Sequence, residues 1–262
     1  MTVVKHELKQ GRTAFLIWTG AIGFLLAVCI FLFPEMKGEM EGISKLFSSM
    51  GAFTAAFGMD RLNFGTLTGY YAIECGNVLG LGGAFYAAMY AAGMLSKEEK
   101  DRTAEFLFAH PVSRFRIVTE KGVAVLIRIT EMNLVIYALA ICSMTAIGEV
   151  IPWKEISLMH AAYYLLQLEL AGICFGLSAF MYKGSTGAGL GIAAIMYFLN
   201  LTANISDSAA GLKYITPFAY CNGADIAADG RLDGTLIAIG AAFGLAGVLA
   251  AFLKYAKKDI RS

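Results

Sequence analysis

Residues 97–121 read KEEKDRTAEFLFAHPVSRFRIVTEK, the most charged stretch of an otherwise apolar chain. Acids and bases come first, then Phe106, Leu107 and Phe108, then His110 and Pro111, then Arg114, Arg116 and Lys121. Thr103 is of a type that caps helix N-termini, and Pro111 cannot continue a helix. The spacing therefore predicts a short helix over 103–110. An apolar trio in a charged loop needs cover. The chain's own bundle or leaflet can supply it, and so can a soluble partner.

The surroundings of this stretch set the class. The chain has 262 residues, 58% of them hydrophobic and 16% charged, with a mean hydropathy of +0.63. A soluble domain of this length could not hide so much apolar surface, so the solvent is a bilayer. The fold class is an all-α polytopic membrane protein. A net charge of +1 gives no electrostatic reason for nucleic-acid binding. Cys29, Cys75, Cys142, Cys174 and Cys221 form no C-x-x-C pair and read as small hydrophobes.

Spans need about 20 mostly apolar residues. Six segments qualify: 14–33, 75–95, 122–147, 157–181, 186–204 and 234–253. The first run is too long for a signal-peptide core and reads as a retained span. Lysine and arginine then orient the bundle. The two termini, the 97–121 loop and the connection after span four carry fourteen bases, whereas the opposite loops carry six and Arg128 lies within span three. Both termini and the 97–121 loop are thus cytoplasmic, and 34–74 and 205–233 face outward.

One transmembrane domain, 1–262, follows. It comprises a surface helix (1–13), spans 1–2 with an outer loop (14–95), a cytoplasmic loop (96–121) and spans 3–5 (122–204). An outer loop (205–233) and span 6 with a basic tail (234–262) complete it. VVKHELKQGRTAFLIW at 3–18 alternates charge with apolar anchors, as a helix on the inner membrane surface does. GISKLFSSMGAFTAAFGMD at 42–60 reads as a helix in the outer interface.

No phosphate-binding G-x-x-x-x-G-K-[ST], H-E-x-x-H or G-x-S-x-G pattern occurs. The acids of EEKDR at 98–102 fall in what composition makes a solvated loop. The three histidines are far apart in sequence, so neither a catalytic residue nor a metal site is expected. G-x-x-x-G spacings at Gly76/Gly80, Gly172/Gly176, Gly187/Gly191 and Gly240/Gly244 suit close helix packing in lipid. Arg128, Glu131 and Glu169 lie within predicted spans. Each such charge costs about 2.5–3.5 kcal/mol to insert at mid-membrane. They serve either as a lock between spans three and four or as the polar lining of a substrate path.

The 97–121 stretch resembles the cytoplasmic loop of ATP-binding cassette (ABC) type-2 transporter permeases. The resemblance rests on Glu98, Glu99, Asp101, Arg102, Thr103 and Glu105, then AHPVSR at 109–114, then Lys121. YITPFAY at 214–220 resembles the Pro-Phe segment before the sixth span, and YAKKDI at 255–260 the basic tail. The resemblance covers essentially the whole chain and implies a plasma-membrane, multi-pass, bacterial exporter subunit. It implies two partners, a separate ATPase chain and a second permease chain, identical or related. ATP and Mg would be bound by the ATPase and no cofactor by this chain. It also implies that Arg102, Thr103, Glu105, Phe106, Leu107, Phe108, His110, Pro111 and Arg114 form the coupling contact, with Lys121 anchored at the membrane edge. A sensory or antimicrobial-peptide immunity module of the same architecture, and a polytopic membrane enzyme, are the other classes this sequence admits.

Overall fold

The computed structural model describes residues 2–39, 42, 50–103, 112–182 and 186–258. Among these every regular element is helical. Helix α1 (Thr2–Gln10) and α2 (Arg12–Met36) meet at Gly11. Beyond α2 come α3 (Ala52–Ala56) and a 3-10 turn at Met59–Arg61. The short α3 lies in the predicted interfacial segment, most of whose first half, 43–49, lies outside the described residues.

The second predicted span begins earlier than its hydropathy suggests. It is a composite: α4 (Leu67–Cys75), a single π-helical stretch (Gly76–Leu81) and α5 (Gly82–Ala92), with right-handed helical backbone at both junctions. The sequence places the start at Cys75 because Tyr70, Tyr71 and Glu74 interrupt the apolar run. In the fold both tyrosines are buried, and Glu74 accepts from the Cys29 thiol at 3.3 Å. The Thr66 side chain caps α4, accepting from the Gly69 N–H at 3.2 Å.

The short α6 (Lys97–Lys100) precedes the 103–110 segment. Helix α7 (Arg114–Ala146) then runs 33 residues. It starts eight residues before the predicted span, so roughly 12 Å of helix stands at the basic end. Ser113 caps it, accepting from the Arg116 N–H at 3.3 Å. Helix α8 (Trp153–Phe180) and α9 (Thr186–Ile205) follow. Two 3-10 stretches (Asp207–Tyr214 and Pro217–Cys221), α10 (Gly223–Asp229) and α11 (Gly234–Ala256) close the chain.

Among the described residues five helices, α2, α7, α8, α9 and α11, are long and apolar enough to cross a membrane. Their outward faces are apolar, with Ile17, Phe24, Leu134, Phe198, Leu245 and Leu253 all exposed. Such a surface is stable against acyl chains and not against water. The core is centred on α8, which packs on α5, α7 and α11. The α8–α11 crossing is set by glycine. A methyl group on Gly172 would come within 2.6 Å of the Gly244 carbonyl oxygen, and Gly176 lies closer still to Gly247. Backbone meets backbone there, as small-residue faces allow in lipid. By contrast Gly191 faces open space, so its G-x-x-x-G spacing does no packing within the chain.

The glycines around the π stretch serve a different purpose. Gly76 and Gly80 abut the Tyr163 ring, which a methyl group on Gly80 would approach to 2.8 Å. The space they leave lets Tyr163 run through the core and donate to the Cys221 carbonyl at 2.9 Å. This fixes the Pro-Phe turn, where Phe218 and Tyr220 are buried, against α8.

Candidate functional site

The basic end of the bundle is built from charges that sequence spacing cannot bring together. Lys121, at the predicted membrane edge, is fully buried. Its ammonium group donates to Glu7 Oε1 at 2.9 Å, to the Met94 carbonyl at 2.7 Å and to Glu98. Glu7 also binds Lys97, which reaches Gln10 Oε1 at 2.6 Å. Lys258, near the end of the chain, is buried too. It donates to Glu99 and, at 2.6 Å, to the Met181 carbonyl. Glu98 and Glu99 of the EEKDR run are therefore structural partners in a largely dry cluster, whereas Asp101 is exposed as the sequence suggested.

Desolvation raises the Glu7 carboxyl pKa, but the charges and hydrogen bonds of Lys121 and Lys97 outweigh it, and the net shift is downward. Beside this cluster Glu120 caps the surface helix. Its Oε2 accepts from the N–H groups of Val3 and Val4 at 3.0 and 3.3 Å, satisfying donors that the first turn of α1 leaves open. Arg116 Nε donates to its other oxygen at 2.8 Å. That hydrogen bond is the largest cause of a Glu120 pKa lowered to about 2.

Arg128 does not reach Glu169. Its guanidinium bonds Glu131 at 2.7 Å, donates to the Leu8 carbonyl and stacks over Phe15, 4.6 Å from the ring centroid. The lock it makes is therefore between α7 and the α1–α2 elbow, not between spans three and four. Glu169 is buried elsewhere on α8, with its carboxylate against Gly240 of α11 and Tyr220 as a neighbour. Its Oε2 makes no well-formed hydrogen bond among the described residues.

The residues assigned to coupling fall in two groups. Glu105, Phe106, Leu107, Phe108, His110 and Pro111 lie outside the described residues. Arg102 adopts a left-handed backbone, φ 55°, and the Thr103 N–H bonds the Glu98 carbonyl at 2.8 Å, so the turn after α6 is tightly wound. Arg114 grips the end of the chain through the carbonyls of Tyr255, Ala256 and Lys258, at 3.3, 3.2 and 2.7 Å. Glu7, Lys97, Glu120 and Lys258 are the members sequence reasoning missed. The signal was there in part: the acids and bases of α1, α6 and the tail occur at one end of their helices, beside apolar runs that leave them nowhere else to go.

The family model for ABC-2 family transporter proteins matches residues 1–220. No curated protein matches the chain. The chain belongs to the ABC-2 transporter family and is the membrane-embedded subunit of an ABC transporter, a context that includes an ATPase partner.

Proposed function

We propose that this chain is one half of a dimeric permease with six spans, both termini cytoplasmic, exporting substrate with energy from ATP and Mg bound by the separate ATPase. The composite α4–π–α5 helix, 26 residues long, supports counting it as the sixth crossing. The motion enters through 103–110 seated against the ATPase, in the plasma membrane of a bacterium. The exposed apolar faces of α2, α9 and α11 are available to a second permease chain.

One observation carries the coupling reading: the elements on both sides of 104–111 belong to one ionic cluster. Upstream, Lys97, Glu98 and Glu99 bind Glu7, Lys121 and Lys258. Downstream, Arg114 and Lys121 of α7 bind the tail and α1. A push on the loop is therefore delivered to the surface helix, the third span and the tail together. A loop held only by water would absorb it.

The double variant Phe106→Ala, Phe108→Ala tests this. Burying one such ring is worth about 1.5–3 kcal/mol, so docking should weaken roughly tenfold to a hundredfold, read by co-purification with the ATPase and by ATPase stimulation. Full retention of both, with the protein folded in membrane, overturns the assignment. For the topology, Met40→Cys and Lys100→Cys in a cysteine-free background should label from opposite sides. Labelling of both by an impermeant reagent in intact cells rejects it.

A further inference from the structure

Where the surface helix turns into the first span, the α1–α2 elbow and the end of α5 leave a groove of about 250 Å³. Gly11 and Ala14 line it from the elbow, and Met89, Tyr90 and Gly93 from the α5 side. Lys97 and Lys100 of α6 line it as well, with Thr186, the first residue of α9. Order along the helices puts Ala14 and Met89 toward the bilayer and the two lysines toward its aqueous edge.

Two glycines shape the groove. A methyl group on Gly11 would come within 2.8 Å of the Tyr90 ring, so the elbow rests directly on that ring. A methyl group on Gly93 would meet nothing within 4 Å, so space opens over the end of α5. Ile17, one turn beyond Ala14 on the same face of α2, is 64% exposed. The apolar wall thus continues into the lipid-facing surface.

The charges are unevenly spent. Glu7, the one acid among these lining residues, is buried and held by Lys97 and Lys121. Lys100 is exposed, and its ammonium group has no ion-pair or hydrogen-bond partner among the described residues. Nearby, Lys5, Lys9 and Arg12 are all exposed, and their helical spacing makes a basic stripe along the surface helix. Such a stripe draws anionic lipid to the membrane surface beside it.

We infer that this groove is a binding site for an anionic phospholipid, its phosphate against Lys100 and the Thr186 hydroxyl and an acyl chain running past Ala14 and Ile17. The chain follows from an apolar wall that is continuous with the bilayer face. The negative charge follows from Lys100, the lining cation left without a counter-charge. A zwitterionic headgroup fits less well, because Glu7 is saturated and an ammonium group would meet lysine and no free carboxylate. The volume is roughly eight times a water molecule's share of the liquid, enough for a phosphate and the glycerol carbons, with the chains in the bilayer. The site rests on the basic end lying at a membrane face and not on the coupling assignment, so a failure of ATPase docking leaves it standing.

The experiment titrates the full-length protein in detergent with dioleoyl-phosphatidylglycerol or dioleoyl-phosphatidylcholine and follows the first bound lipid by native mass spectrometry. The anionic lipid should bind about fivefold more tightly, the effect of one lysine on an anionic headgroup. Lys100→Gln should remove that preference, and Lys37→Gln, the same change at the far end, should keep it. Gly93→Leu, which grows into open space, should weaken the first binding of both lipids about tenfold with the melting temperature unchanged. Equal binding of the two lipids by the wild-type protein overturns the inference, as does a preference that survives Lys100→Gln or is lost as fully in Lys37→Gln. Displacement of the lipid by an equal concentration of inorganic phosphate, or unchanged binding in Gly93→Leu, overturns it too. If Gly93→Leu lowers the melting temperature, Lys100→Gln, at an exposed position, decides alone.

Discussion

The two ends of the bundle hold their charges in opposite ways. At the basic end Lys121 and Glu7 are 0% and 1% exposed, and each has more than one partner. At the far end the pairs are single and wet: Lys37 with Glu149 and Arg61 with Asp225, the two bases 48% and 52% exposed. The same residue types therefore do different work. Far-end pairs gain little, because water competes for both partners. Basic-end pairs have been desolvated, and losing one partner strands the other. A charge count orients the chain in the membrane, but it does not distinguish these roles.

The largest expected effect comes from Lys121→Met. It leaves the Glu7 and Glu98 carboxylates short of a buried cation and should cost about 3–5 kcal/mol, read as a lower melting temperature in detergent. A loss as small as that of a far-end variant would erase the contrast. Glu7→Gln keeps shape but removes charge, and should cost about 2 kcal/mol by the same measurement. Acid should separate the ends as well. The folded Glu7 pKa lies below its ordinary value of 4.5, so its stabilisation is full above that value and is lost as pH falls through the lowered folded pKa. Melting temperatures of the wild-type protein should fall in that acid window, and those of Glu7→Gln should fall less steeply. The smallest effects belong to Lys37→Gln and Arg61→Gln, each about 0.5 kcal/mol or less and erased by salt. An unequal pair would show which far-end contact matters.

Much of the bundle was legible because hydropathy is a local property. The helix at 14–33 appears within Arg12–Met36, and those at 186–204 and 234–253 within Thr186–Ile205 and Gly234–Ala256. Boundaries failed where polar residues are buried. Tyr70, Tyr71 and Glu74 hid the start of the composite α4–π–α5 helix, and Arg114–Lys121 hid the first turns of α7. The loop motif was visible as a motif, but its ionic partners were not. Glu7 lies 114 residues from Lys121, and Glu99 lies 159 from Lys258, separations at which no sequence period operates. The Arg128–Glu131 pair was legible as two charges on one helical face, whereas its third member, a carbonyl of α1, carries no sequence signature.

The π-helical stretch at Gly76–Leu81 gives the composite α4–π–α5 helix a change of phase along its length. A single π turn holds about one residue more than an α turn, and one residue corresponds to about 100° of rotation and 1.5 Å of rise. The face that α4 presents to α2 and α10 is thus out of step with the one that α5 presents to α8 and α9. Removing one residue from this stretch would bring the two halves into a common phase, swinging α5 through more than a quarter turn. The Met94 carbonyl, two residues beyond α5, would leave the Lys121 ammonium group it now accepts from. The surplus residue is a timing mark, setting how the screw of this helix meets the ionic cluster at its end.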